Sequence, residues 1–148
     1  MKRKIKKAAI LFVVLCLALL SFKVITSTDL GLMLRLHHIA AENETLTFQQ
    51  AFPFSWDVAY RDAGVYGTGS RLKEKYKLDF TVSELMRDDK NRILFFKGEK
   101  LVRVVTYEIG YTDIDLKKGN DEIMPQTKFS VFWKDEKKND LVLTQMGD

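Results

Sequence analysis

The strongest constraint on this chain lies near its start. Five Lys or Arg residues within positions 1–7 precede fifteen residues, 8–22 (AAILFVVLCLALLSF), whose only polar member is Ser21. A helix packed on a water-soluble core keeps a polar face, and this stretch has none, so it reads as a membrane-directed segment. Fifteen residues rise about 22 Å as a helix, short of the ~30 Å hydrocarbon layer but matching the apolar part of a signal peptide. Val24 and Ile25 extend the stretch past Lys23 to residue 25, and a Lys near a helix end can snorkel to the headgroups. Cleavage needs small residues at alternate positions before the cut, and Ile25-Thr26-Ser27 places Ile where one is wanted. The expectation is therefore a retained single-span anchor over 8–25, with a cleaved signal peptide as the alternative. Only Lys23 and Arg35 follow the stretch closely, so the positive-inside rule leaves 1–7 in the cytoplasm and sends the C-terminal part outward.

The same charge asymmetry removes a tempting reading. A net charge of +4 and a pI near 9.1 would suit a nucleic-acid binder. All six Lys or Arg of residues 1–28 lie in or beside the apolar segment, however, and from residue 29 onward 18 basic side chains face 20 acidic ones. The body of the protein is slightly acidic, and no nucleic-acid partner is expected. Cys16 is the only cysteine, so no intrachain disulfide can form and the core alone must hold the fold. With Val14-Leu15 before it, Cys16 lacks the small neighbour that lipidation would need and is read as a small apolar residue.

The length of 148 residues suits one modest domain plus an appendage. Residues 26–44 read as a juxtamembrane helix and linker. Thr28 or Asp29 can cap a helix to about Ala41, with Leu30, Met33, Leu34, His37 and Ala41 at helical spacing. Leu32, Leu36 and Ile39 widen its apolar surface almost all round, so it should lie on the membrane or pack on the domain. The domain proper is expected over 45–148, folding without metal or disulfide. Residues 54–60 alternate Phe54, Trp56, Val58 and Tyr60 against Ser55, Asp57 and Ala59, predicting a strand with one buried face. Thr68 or Ser70 can cap a short helix over 71–77, with Leu72 and Tyr76 on one side. Residues 93–96 and 101–107 predict a hairpin across Lys97-Gly98-Glu99-Lys100, the second strand being interior. Residues 128–133 and 141–144 predict another. Strands with only short helices between them indicate an α+β domain with an antiparallel sheet.

Candidate chemistry is sparse. His37 and His38 are the only histidines and point about 100° apart on a helix, so they cannot share a metal unaided, and no cofactor or metal is expected. Asp113 and Asp115 would share one side of an extended segment. A calcium loop starting at Asp113 fails, because Lys118 and Met124 stand where Gly and Glu belong. Gly64, Gly67 and Gly69 lack the spacing of a phosphate loop and read as turn glycines. Aromatic residues concentrate at Phe52, Phe54, Trp56, Tyr60 and Tyr66. If exposed, Phe54, Trp56, Tyr60 and Tyr66 would be the binding candidates; if buried, they are core anchors, and alternation argues that Trp56 is buried.

Phe-Pro-Phe-Ser-Trp-Asp-Val-Ala-Tyr (52–60) and Asn-Arg-Ile-Leu-Phe-Phe-Lys-Gly-Glu-Lys-Leu-Val (91–102) resemble a group of small membrane-anchored extracytoplasmic proteins of Gram-positive bacteria. The likeness spans about residues 50–107 and brings no activity with it; Val65-Tyr66 stands where that group often has Pro-Tyr. The combined expectation is a non-catalytic binding module at the cell surface, tethered to the membrane and meeting a protein partner in the envelope. Two other readings stand beside it: a secreted inhibitor or immunity-like protein after cleavage, and an envelope hydrolase using carboxylates such as Asp57 or Asp113.

Overall fold

The computed structural model describes residues 12–14, 16–17, 28–63, 69–85, 89–117 and 119–147. The elements run α1 (Asp29–Glu42), β1 (Thr45–Thr47), α2 (Phe48–Ala51), β2 (Val58–Asp62), α3 (Ser70–Tyr76), β3 (Lys90–Lys97), β4 (Lys100–Glu108), β5 (Thr112–Asp115), β6 (Glu122–Ile123), β7 (Lys128–Trp133) and β8 (Leu141–Gln145). The domain is α+β, with two four-stranded sheets ordered β1-β7-β8-β5 and β4-β3-β2-β6. All pairs are antiparallel except β5 with β8, which run parallel, so the single antiparallel sheet expected from sequence is two sheets. Of the apolar stretch 8–25 only 12–14 and 16–17 are described, and these are helical. Among the described residues no helix is long and apolar enough to cross a membrane. The rest of the expected anchor lies outside the described residues.

Why the second sheet needs two covers is written in β3. Ile93-Leu94-Phe95-Phe96 is apolar at every position, and a strand of period 2 then has both faces to bury. Ile93 and Phe95 join Ala59, Val105, Tyr107 and Ile123 facing the first sheet, where Phe48, Phe52, Phe129, Ile114, Leu141 and Leu143 complete the main core. Leu94 and Phe96 point the other way with Tyr60, against Leu72 of α3 and Phe80. The buried Arg92–Asp62 pair, at 2.8 Å, ties β3 to β2, and Arg92 also donates to the Ser83 carbonyl, drawing the segment before β3 onto this face. Gly69 at the start of α3 has φ +72, and a Cβ there would come 2.7 Å from the Phe80 ring. That position therefore excludes side chains on two counts.

Two sequence expectations need correction. The hairpin of β3 and β4 turns at Gly98-Glu99 with φ +56 at Gly98, as a tight hairpin requires. Yet β4 is the edge of its sheet, β3 is the interior strand, and Val104 is only half-buried while Val105 is fully buried. The strand expected over 54–60 begins only at Val58. Ahead of it the Asp57 carboxylate accepts from the Gly98 amide and the Asp57 amide donates to the Phe96 carbonyl, ending regular pairing there. Trp56 consequently packs in the main core, while Val58 and Tyr60 share the opposite face of the sheet. Helix α1 takes one of the two positions expected for it, packing on the domain with Leu32, Leu36 and Ala40 in the main cluster.

Candidate functional site

Of the four aromatic residues weighed from sequence as either a binding surface or core anchors, the structure describes three, and these are buried or half-buried. Trp56 is 4% exposed, its ring edge-on to Phe48 and Phe95, and its Nε1 donates to the Phe52 carbonyl at 3.1 Å. Phe54 is half-buried against Phe95. Tyr60 is 6% exposed and lies across the sheet, against Tyr76 and Phe96. Tyr66 lies outside the described residues. Trp56 and Phe54 on one side of the sheet and Tyr60 on the other serve two separate cores.

Unsatisfied apolar surface appears instead on α1. Thr28 caps this helix, its hydroxyl accepting from the Gly31 amide at 3.0 Å. The Asp29 carboxylate sits in the first turn, where the helix dipole favours a negative charge, and accepts from the Thr106 amide on edge strand β4 at 3.1 Å. It also lies 3.5 Å from Arg103. This contact occupies one free amide of the edge and fixes the start of α1 against β4. At the other end Asn43 Nδ2 donates to the Ile39 carbonyl and Lys138 Nζ to the Ala41 carbonyl, satisfying groups a helix end leaves open. So anchored, α1 turns Leu32, Leu36 and Ala40 inward, where they are fully buried.

The opposite stripe has no cover among the described residues. Leu30 is 71% exposed, Leu34 60% and Tyr111 61%, with Ile109 exposed at the same turn as Tyr111. Between α1 and this turn runs a groove of about 490 Å³ bordered by Leu30, Met33, Tyr107, Tyr111, Lys90 and Glu108. A smaller one of about 250 Å³ continues from it past Leu34 and His37 to Lys138, with Leu30, Met33 and Tyr111 lining both. The carboxylates on the rim are partnered, Asp29 by Arg103 and Glu108 by Lys90.

Two titratable groups border this region. His37 Nε2 is 2.8 Å from Thr112 Oγ1 and its ring stands edge-on to Trp133; burial lowers its pKa from the ordinary 6.5. Burial likewise pushes the Tyr107 phenol up to about 12, so it stays neutral. His38, one position on, is exposed and lies 3.8 Å from Glu42. The two histidines therefore do not converge, and among the described residues no group of three or more His, Cys, Asp or Glu side chains gathers as a metal site. Of the carboxylates weighed for acid–base work, Asp57 holds the Gly98 amide and Asp113 pairs with Lys134. Neither borders the groove. Leu30, Met33 and Leu34 were visible in sequence as part of a helix apolar almost all round; nothing in the sequence marked Ile109 and Tyr111 as their neighbours.

Compared with family models, with curated proteins and with solved structures, the chain matches none.

Proposed function

We propose that this protein is a membrane-tethered, outward-facing domain that acts by non-catalytic binding, with the groove between α1 and the 109–112 turn as its contact surface. The observation that carries this reading is the second apolar face of α1. A helix apolar on two sides normally buries both, and here one side stays open on a helix that starts four residues after Ile25, the end of the extended apolar stretch. Phe12, Val13, Val14 and Leu17, four of the five described residues of that stretch, each leave more than half of their surface exposed, and Cys16 is half-buried. The basic cluster at 1–7 supports retention on the cytoplasmic side and hence an outward domain.

Fractionation of cells combined with protease shaving tests the proposal. The full-length chain should stay with the membrane, and protease added outside intact cells should remove the domain. Release into the medium of a product starting near Thr28 would replace the tether by a secreted protein, and a domain protected in intact cells would reverse the orientation.

A further inference from the structure

We infer that the occupant of the groove is the membrane itself: Leu30, Leu34, Ile109 and Tyr111 lie in the headgroup layer of the outer leaflet, so the domain rests on the bilayer. This inference rests on the tether proposed above. Four residue steps separate Ile25, the last of the apolar stretch, from Asp29, the first residue of α1. Fully extended they reach about 14 Å, whereas the polar layer on each side of the hydrocarbon is some 5–8 Å thick. The start of α1 is thus held no more than about 9 Å above the headgroups, and Leu34, five residues on, lies about 7.5 Å further along the helix.

The chemistry of the surface fits that position. Leu30 and Leu34 stand on one helix face, the arrangement of an interfacial helix that sinks its apolar side among headgroups and upper acyl chains. Tyr111 offers an apolar ring with a hydroxyl at its tip, the kind of side chain that gathers at membrane–water boundaries. The bordering acids are neutralised by Arg103 and Lys90, and Lys138 stands at the far end of the smaller groove. Anionic phosphates therefore meet no unpaired carboxylate at Asp29 or Glu108. The same short connection leaves at most about 6–9 Å between the start of α1 and the outer edge of the headgroups, less than the ~10–12 Å breadth of one helix, which disfavours a folded protein as the occupant.

The test uses the full-length chain carrying Cys16→Ser, reconstituted in phosphatidylcholine vesicles with a minor share of phosphatidylglycerol and spin-labelled at single cysteines. Leu34→Cys and, independently, Tyr111→Cys probe the surface. Glu99→Cys is the reference, because it lies in the turn at the start of β4, seven residues from Thr106, the residue held by Asp29, or roughly 23 Å away. Co-flotation with the vesicles reads the tether, and collision of each label with oxygen or with a water-soluble nickel chelate reads the surface. The inference expects labels at 34 and 111 to collide with oxygen several-fold more than with nickel, and the reverse at 99. A protein that fails to float overturns the tether and the inference together. If it floats but positions 34 and 111 are as open to nickel as 99, the inference alone falls. Labels shielded from both reagents would place a protein or a second copy of this chain in the groove and would also overturn it.

Discussion

Leu34 and Leu36 are two positions apart on α1 and identical in chemistry, yet one is 60% exposed and the other fully buried. Two residues turn a helix through about 200°, so the pair samples its two sides. On the inner side Leu32, Leu36 and Ala40 meet the main core; on the outer side Leu30 and Leu34 stay largely exposed beside Tyr111. The difference teaches that the apolar pattern of a segment fixes how much surface must leave water but not where it goes. Inner residues answer to the domain. Outer residues answer, on the reading proposed above, to the bilayer.

The bluntest way to break this comparison is to remove the helix. A fragment of residues 28–148 should unfold cooperatively, while 45–148, stripped of Leu32, Leu36 and Ala40, should lose its cooperative transition and bind hydrophobic dyes. Equal urea midpoints for the two fragments would show that α1 merely rests on the domain. A core shared between α1 and the sheets should also be sensitive elsewhere. Trp56→Ala in the same cluster is expected to lose about 3–5 kcal/mol by urea unfolding, a large part of the ~5–15 kcal/mol a domain has.

Smaller effects sharpen the boundary between the two sides. Asp29→Ala removes a first-turn charge and the acceptor for the Thr106 amide, and should cost about 1–2 kcal/mol. His37 sits between the buried and exposed stripes, and its pKa is lowered by burial. Its neutral form is thus favoured in the fold, so its contribution is fully present above pH 6.5 and declines as pH falls toward the folded value. Urea midpoints of 28–148 should drop slightly from pH 7 to 5.5, and His37→Gln should flatten that drop.

How much of this was legible in the sequence depends on how local each signal is. The β3–β4 hairpin could be read because two apolar runs flank Lys97-Gly98-Glu99-Lys100, and the turn and both strands lie within twenty residues. The cap at Thr28 and the extent of α1 were equally local. Strand β5 was not legible: Thr112-Asp113-Ile114-Asp115 offers one buried apolar side chain, Ile114, and pairs with β8 nearly thirty residues on, in parallel. The run from Phe54 to Tyr60 misled because alternation predicts a shared face only while the backbone stays extended, and regular pairing starts at Val58. Burial of Trp56 could still be anticipated, since a large aromatic ring next to Phe52 and Phe54 has much to gain from leaving water. The groove itself needed the fold, because Tyr111 comes to Leu30 only through the docking of α1 along β4.

The two-sided character of α1 is tested most directly by measuring urea unfolding of Leu36→Ala and Leu34→Ala side by side in the 28–148 fragment. The account predicts a loss of about 2–5 kcal/mol for Leu36→Ala, as for a leucine removed from a packed core, and a change within roughly 0.5 kcal/mol for Leu34→Ala, as for a surface position. Equal losses, or a larger loss at Leu34, would contradict it.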